Sequence, residues 1–258
     1  MPLLWVHGRG EDDLTGSGGT ERSVSRESID MNNKISVIIP VWNEAYFINE
    51  TVNNILMLQY QGRLEIIAVD GCSKGETVRE IYNESVKKLT SEKGRAKQMN
   101  KGALHAEGDI LLFLHADTLL PTNAFENISK VMEKGEIVAG AFDLGIRSKR
   151  PIFRLIEKSA SLRSRITRLP YGDQAIFIRK DYFRAIGGFR EMPLMEDVDL
   201  MRRIRNKGGS ISIISEKVNT SARRWEEEGI LFCTLRNWTL ITLYFLGIPP
   251  EKLVRFYR

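Results

Sequence analysis

The sequence contains very little cysteine. Of its 258 residues only two are cysteines, Cys72 and Cys233, and they lie far apart. Two such distant thiols offer neither a disulfide framework nor the paired spacing of a zinc site. The sequence therefore favours a reducing compartment, and we expect a cytoplasmic protein.

The sequence also lacks an uninterrupted apolar segment long enough to span a membrane. Residues 230–248 approach that length, but Arg236 and Asn237 fall near the middle of the segment. A spanning helix needs about 20 apolar residues, and a central arginine costs roughly 2.5–3.5 kcal/mol on insertion. We expect a helix that covers a cleft or lies on the inner membrane surface, with the basic tail "EKLVRFYR" toward anionic lipid. A helix packed on the core is the alternative.

Two phosphate-binding motifs are absent as well. The sequence has no G-x-x-x-x-G-K-[ST] segment, and no G-x-G-x-x-G follows its first predicted strand. These absences argue against a P-loop NTPase and a dinucleotide-binding fold. The net charge of +5 and the isoelectric point near 9.2 nevertheless fit a phosphate-bearing partner or an anionic membrane surface. We expect no nucleic-acid partner.

The amino-terminal residues differ in composition from the rest of the chain. The stretch "GRGEDDLTGSGGTERSVSRESID" is rich in glycine, serine and charge and has no apolar periodicity. Because such a segment cannot bury enough apolar surface, we predict a disordered leader over residues 1–33. The preceding "MPLLWV" is too short for the core of a signal peptide. Met31 is a second candidate for the start of translation.

From Lys34 onward, apolar strands and amphipathic helices alternate. The predicted strands cover residues 35–40, 64–70 and 109–117, and the predicted helices cover residues 44–58, 76–89 and 94–106. Strands separated by helices of this length form right-handed βαβ units. We therefore predict an α/β fold with a Rossmann-like, mostly parallel sheet flanked by helices.

Polar residues follow three of the predicted strands. They are Pro40, Asn43 and Glu44 after the first, Asp70 after the second and Asp117 after the third. Any one of them is equally well explained as a helix cap. Ligands, however, bind at the carboxyl ends of the strands in such sheets. The three strand ends together therefore favour one shared site.

A basic segment, "KGRAKQMNKGA", covers residues 93–103. Its Arg95 stands at a predicted helix start, where free backbone N–H groups favour anions. A solvated helix face is the alternative interpretation. The functional interpretation is that one of these cations reaches a diphosphate.

Four of these segments together resemble a known family. The segments "ISVIIPVWNE", "LEIIAVDGCS", "GRAKQMNKGA" and "LLFLHADT" are similar, in order and spacing, to the nucleotide-binding half of the family 2 glycosyltransferases, which have the GT-A fold. The bacterial subgroup with HAD in place of D-x-D is the most similar. The resemblance implies a GT-A domain over residues 34–225. From the apolar stretch after it we expect a carboxyl-terminal helical segment over residues 226–258.

The resemblance also implies roles on the donor side. The residues implied in nucleotide binding are Pro40, Asn43, Glu44 and Asp70. Asp117 resembles the last acid of D-x-D and would bind Mn²⁺ or Mg²⁺ on the donor diphosphate. His115 takes the first position of that motif. It would be either a further ligand, better suited to Mn²⁺, or a packed histidine.

The second half of the chain resembles the acceptor side of the family. In "LMEDVDLMRRI", acids open a predicted helix, a position that the helix dipole alone would favour. The resemblance places the catalytic base at Asp197. In "YGDQ", Asp173 resembles a further acceptor-site acid, and we expect the adjacent Gln174 to bind substrate as well.

The segment "SARRWEEEG" resembles part of the Q/R-x-x-R-W element of processive members. The resemblance implies that Arg223 or Arg224 contacts the diphosphate and that Trp225 stacks near an acceptor sugar or lipid. Ser221 replaces the leading Gln or Arg of the element.

These residues together predict a metal-dependent inverting glycosyltransferase. It would move a sugar from a nucleotide sugar, with UDP the favoured nucleotide, to a hydroxyl of a lipid or glycan acceptor. A carboxylate base would take the acceptor proton, while a metal and arginines stabilise the leaving diphosphate. A sugar nucleotidyltransferase would need a glycine-rich loop with Arg and Lys where "PVWNEAYFIN" stands. A catalytically silent nucleotide-sugar-binding protein is the other alternative.

Overall fold

The computed structural model describes residues 34–257, so the leader predicted over residues 1–33 lies outside the described part. The strands within this part are β1 (Ile35–Val41), β2 (Leu64–Asp70), β3 (Lys87–Thr90), β4 (Ile110–Phe113), β5 (Thr118–Leu119), β6 (Ile137–Arg147), β7 (Ile176–Arg179) and β8 (Ser210–Ser221).

Helices flank these strands. They are α1 (Ala45–Met57), α2 (Glu76–Arg79), α3 (Arg95–His105), α4 (Ala124–Met132), α5 (Pro151–Thr167), α6 (Lys180–Ala185), α7 (Glu196–Asn206), α8 (Arg223–Glu228), α9 (Ile230–Phe245) and α10 (Pro250–Leu253). Short 3₁₀ turns cover Gly172–Gln174 and Val254–Phe256.

The strands form one sheet in the order β3-β2-β1-β4-β7-β6-β8-β5. β1 pairs in parallel with both β2 and β4, and β6 pairs in parallel with β8. β7 pairs antiparallel with β4 and β6, and β5 pairs antiparallel with β8. This arrangement confirms the predicted α/β fold with a mostly parallel sheet.

Burial explains why β1 lies at the centre of the parallel half. All seven of its residues are buried, and their side chains alternate between the two faces. Val37 and Ile39 pack on one face with α1 and α4, whereas Ile38 packs on the other with α3, α6 and α7. A strand covered by helices on both faces needs apolar residues at nearly every position, which "ISVIIPV" supplies.

Most of the predicted elements in the first half are confirmed, with small changes at their ends. The strands predicted over residues 35–40 and 64–70 and the helices predicted over residues 44–58 and 94–106 correspond to β1, β2, α1 and α3. The strand predicted over residues 109–117 ends at Phe113, and the chain then turns toward β5.

The helix predicted over residues 76–89 is wrong. Helix α2 ends at Arg79, and residues 87–90 instead form β3, which pairs in parallel with β2. The Asn83 side chain accepts hydrogen bonds from the Ser85 N–H and hydroxyl at 2.8 and 2.6 Å, a local turn that competes with helix. The free edge of β2 then offers backbone hydrogen-bonding groups with which residues 87–90 pair.

The segment predicted to be helical at the carboxyl terminus forms α9. Its Cys233, Leu240 and Tyr244 are buried, so one face packs on the protein. The predicted domain boundary between residues 225 and 226 falls inside α8. Among residues 34–257, no helix has the length and apolarity needed to cross a membrane.

Candidate active site

A cavity of about 370 Å³ opens where β1 and β4 end. The predicted site residues that line it are Pro40, Glu44, Arg95, His115, Asp117, Asp173, Asp197, Arg224 and Trp225. Carboxylates, guanidinium groups and one imidazole thus line a cavity at the carboxyl edge of the sheet, the edge at which the sequence predicted a shared site.

Asp117 is fixed by the pairing of β5 with β8. Its carbonyl oxygen accepts a hydrogen bond from the Ser221 N–H at 3.1 Å, and the Thr118 and Thr220 hydroxyls lie 3.1 Å apart. Burial raises the pKa of the Asp117 carboxyl, and the nearby Arg223 opposes this effect. The carboxylate therefore lies in a pocket that would favour an additional positive charge.

Glu44 and Arg223 form an ion pair at the same end of the cavity. The guanidinium donates to both carboxylate oxygens, at 3.1 and 3.2 Å, and lies 4.8 Å from the centre of the Phe47 ring. Burial raises the pKa of Glu44, while Arg223 works in the opposite direction. Glu44 thus orients an arginine that faces the cavity.

His115 and Asp197 both face Gly172. A Cβ atom added to Gly172 would lie 3.0 Å from His115 Nε2 and 3.2 Å from Asp197 Oδ2. Burial, with a contribution from Arg95, lowers the pKa of His115 to about 4. The imidazole is therefore neutral at neutral pH, the form that can ligate a metal or accept a hydrogen bond.

Asp197 lies in the first turn of α7 and is held by two backbone groups. Its Oδ2 accepts a hydrogen bond from the Gly172 N–H at 2.5 Å, and its Oδ1 accepts one from the Val198 N–H at 2.7 Å. The preceding Glu196 pairs with Arg95 at 2.8 Å. The two contacts to backbone fix the direction in which the Asp197 carboxylate faces.

Asp173 has a buried oxygen with no protein partner among the described residues. This atom, Oδ1, belongs to a side chain that lines the cavity. Burial raises the pKa of Asp173 to about 6, although Arg163 acts against the shift. An unpaired buried acceptor is costly, so a ligand hydroxyl that donated to it would be favoured.

Arg224 and Trp225 line another part of the cavity wall. The Arg224 guanidinium lies 4.0 Å from the centre of the Tyr257 ring and hydrogen bonds its hydroxyl, and Arg224 Nε donates to Glu228 at 3.2 Å. The Trp225 ring packs edge-on against Phe153 at 5.9 Å. Both side chains are therefore held in place before any ligand binds.

Three predicted site residues do not line the cavity. Asn43 is exposed and has a left-handed backbone, with φ of 56°. Asp70 is buried and accepts hydrogen bonds from the N–H groups of Cys72, Thr77 and Val78 at 2.8, 2.7 and 3.2 Å, so it holds the loop before α2.

The third is Gln174, which is fully buried behind the 3₁₀ turn. Its amide donates to the Phe142 carbonyl at 2.8 Å and accepts from the Ser164 hydroxyl at 2.7 Å. In this geometry Gln174 joins the turn to β6 and α5. It supports the neighbouring Asp173 instead of facing the cavity itself.

The sequence matches the pattern of a known family over residues 36–190, more than half of the chain, and that pattern is described as glycosyl transferase family 2. The chain belongs to glycosyl transferase family 2.

Similar proteins in the family come from several bacteria. An uncharacterized glycosyltransferase of Rickettsia conorii is 30% identical over 189 residues, which cover 66% of this chain and 31% of that protein. The probable glycosyltransferase YdaM of Bacillus subtilis is 27% identical over 229 residues, which cover 79% of this chain and 53% of YdaM. The family 2 chain thus spans about a third to a half of the length of these relatives.

Solved structures share the fold of this family 2 protein. The mannosyltransferase PcManGT from Pyrobaculum calidifontis, in complex with GDP-Man and Mn²⁺, superposes with a TM-score of 0.55 at 21% identity, covering 74% of this chain and 56% of PcManGT. S. aureus TarS 1–349 in complex with UDP-GlcNAc gives 0.56 at 18% identity, covering 73% and 58% of the two chains. These likenesses confirm the predicted GT-A fold.

Several residues that line the cavity of this family 2 protein were not predicted from its sequence, among them Trp42 and Gln98. Trp42 lines the cavity, and Lys93 lies 4.0 Å from the centre of its ring. Gln98 lines it too, and its amide donates to the carbonyls of Val41 and Val69 at 2.7 and 2.8 Å. Trp42 belongs to the motif "PVWNE". An aromatic residue directly after a predicted strand is the sequence feature that could have indicated a cavity residue here.

The donor set of the cavity fits a metal held by few protein ligands. Among residues 34–257, no group of three or more His, Cys, Asp or Glu side chains is arranged to hold a metal ion. Asp117 and His115 would therefore supply at most two ligands. Mg²⁺ commonly binds through one or two carboxylates together with phosphates and water. The buried Asp117 carboxylate fits such a site, because a cation would offset its desolvation.

Proposed function

We propose that this family 2 protein is an inverting glycosyltransferase that moves a sugar from a nucleoside diphosphate sugar to an acceptor hydroxyl. The observation that carries the proposal is the arrangement of one cavity. Asp117 and Arg223 lie at one end, whereas Asp173 and Asp197 lie against the turn at Gly172. Two proteins that share the fold are described with bound nucleotide sugars.

The donor side consists of the cations and Asp117. Arg223 and Arg224 face the cavity, and each is oriented by a carboxylate, Glu44 or Glu228. Negative charge develops on the leaving diphosphate during transfer, and preoriented guanidinium groups stabilise it. A divalent cation held by Asp117, with His115 as a candidate second ligand, would supply further charge stabilisation there.

The acceptor side consists of Asp197 and Asp173. Asp197 takes the proton from the acceptor hydroxyl as its oxygen attacks the anomeric carbon, and the bond to the diphosphate breaks on the opposite face. This attack inverts the anomeric centre. The unpaired oxygen of Asp173 accepts a hydrogen bond from a sugar hydroxyl and so helps to orient it.

We assign UDP as the nucleotide and the cytoplasm as the compartment. The Trp42 ring at the cavity surface is a stacking partner for a base. The two cysteines are free, as a reducing compartment requires. The acceptor is a hydroxyl of a lipid or a glycan.

A thermal-shift screen of the full chain tests the proposal. UDP-sugars with Mn²⁺ should raise the melting temperature more than GDP-mannose does, and EDTA should abolish the increase. Asp117→Ala should lose most of the metal-dependent increase, because it removes the carboxylate that holds the cation. Asp109→Ala is the matched control. Asp109 lies immediately before β4, at the end of that strand away from Asp117.

Two results would count against the proposal. Stabilisation by nucleotide that is independent of metal would remove the role given to Asp117. Binding of nucleotide sugars without UDP release, for any of several sugar and lipid acceptors, would favour the catalytically silent binding protein.

A further inference from the structure

The outward face of α9 is apolar. Leu231, Leu235, Trp238 and Phe245 recur at helical spacing and are all exposed, with Leu231 72% and Trp238 58% accessible. The remaining exposed positions on this face are threonines and a further apolar residue. A helix that packs its other face on the protein would ordinarily present charge to water here. An apolar outer face therefore needs a partner.

Helix α5 presents a second apolar stripe. Leu155, Leu162 and Ile166 are 64%, 60% and 72% accessible and also recur at helical spacing. The two helices share one buried cluster, because Ile156 of α5 and Ile230 of α9 both pack against it. We call the two stripes together the α5–α9 surface.

Exposed cations lie on α5, beside it, and after α9. Those on or beside α5 are Lys149, Arg150, Arg154, Lys158, Arg165 and Arg168, and all are exposed. The acid of this helix, Glu157, is fully buried and pairs with Arg154 and Lys217. After α9, Lys252 and Arg255 add exposed positive charge against a single exposed acid, Glu251.

Two further exposed acids belong to a different surface. Glu226 and Glu227 of α8 line a separate groove together with Tyr46 and Glu50. The α5–α9 surface thus combines exposed apolar side chains with a predominantly cationic border.

We propose that the α5–α9 surface docks on an anionic lipid bilayer. Apolar side chains enter the headgroup boundary, while lysines and arginines at the border pair with anionic headgroups. Tryptophan, here Trp238, is enriched at this depth because its ring is amphipathic. A second copy of the chain is the weaker occupant, because a two-fold interface would bring the cationic borders together.

Flotation with lipid vesicles tests the docking. The full chain should float with vesicles of phosphatidylcholine and phosphatidylglycerol, and much less with phosphatidylcholine alone. Leu235→Glu and Trp238→Glu should each weaken binding at least roughly tenfold, because they place a charge in the headgroup boundary. The control is Leu104→Glu on α3, a position 73% accessible and outside the α5–α9 surface.

A double charge reversal tests the role of the cationic border of the α5–α9 surface. Lys158→Glu with Lys252→Glu should weaken binding to the anionic vesicles by roughly tenfold or more, because each substitution replaces attraction to anionic headgroups with repulsion. All variants should keep the wild-type melting temperature and nucleotide affinity, since these side chains do not line the cavity.

Three outcomes would overturn the proposal. The first is equal flotation of wild type and Leu235→Glu. The second is a dimer in sedimentation velocity that Leu235→Glu dissociates, which would assign the surface to a second copy. The third is loss of vesicle binding in a chain that starts at Met31, which would assign the binding to the first thirty residues.

Discussion

Asp197 accepts hydrogen bonds from two backbone N–H groups through different carboxylate oxygens. An asparagine at this position has only one acceptor oxygen, so it can keep only one of the two bonds. Asp197→Asn should therefore cost about 1–3 kcal/mol of stability in addition to its effect on catalysis. This cost makes a control for folding necessary.

We expect Asp197→Asn to lower single-turnover rates by roughly a hundredfold or more, the scale of losing a general base. UDP affinity, measured by calorimetry well below the melting temperature, should stay near wild type. Asp181→Asn is the matched control, because Asp181 also accepts the N–H of the following residue in the first turn of a helix. Near-wild-type turnover in Asp197→Asn would exclude Asp197 as the base.

Asp173 makes stability depend on pH. Burial raises its pKa from 3.8 to about 6, so the folded protein retains a proton that the unfolded chain has released. Stability therefore falls as the pH rises from 3.8 to about 6, by up to about 3 kcal/mol from this group. Asp173→Asn should remove this loss.

Melting curves across this pH range check the prediction. The melting temperature of Asp173→Asn relative to wild type should increase as the pH rises and become constant above about pH 7. A difference that does not change with pH would show that folding leaves the pKa of Asp173 unshifted.

Apolar runs in the sequence predict which residues follow a strand, but not the direction in which each side chain then faces. Asp117 and Asp70 both follow apolar strands, yet Asp117 lines the cavity and Asp70 accepts three backbone N–H groups. The path of the loop after each strand determines whether the carboxylate faces the cavity or the backbone. That path depends on tertiary contacts that the local sequence does not specify.

The 3₁₀ turn at Gly172 is the element that brings His115 and Asp197 together. An added methyl group there would lie within 3.2 Å of atoms of both side chains. Gly172→Ala should therefore displace one or both and lower turnover by roughly tenfold or more, since small misplacements of reacting groups are costly. Gly135→Ala is the control, because an added Cβ there meets nothing within 4 Å.

Turnover and melting temperature of both glycine variants should be compared. Equal turnover in Gly172→Ala and wild type would mean that the neighbouring side chains can move without loss of function.

Long periodic elements were predictable, whereas short ones were not. The apolar run of β1 and the spacing of α3 identify each element without reference to the rest of the fold. The four-residue strand β3 exists because β2 has an open edge, and its own sequence, "KKLT", carries no strand pattern. Local sequence could not reveal that edge.

At the scale of the whole molecule, we expect the first thirty residues to be dispensable for folding and turnover. Their composition, low in apolar residues and rich in glycine and serine, cannot contribute much to a core. A chain that starts at Met31 should keep the melting temperature and the single-turnover rate of the full chain. A large drop in melting temperature would contradict this expectation.

The pairing of β5 with β8 also determines when the cavity can exist. The Thr118 and Thr220 hydroxyls that meet there are 102 positions apart in the chain. The length-dependent part of the entropic cost of closing such a loop is about 4 kcal/mol. Contacts within the neighbouring chain segments do not offset this cost. During synthesis, Asp117 leaves the ribosome long before Arg223 and Arg224 are made. A nucleotide can therefore stabilise the nascent chain only after its carboxyl-terminal part has joined the sheet.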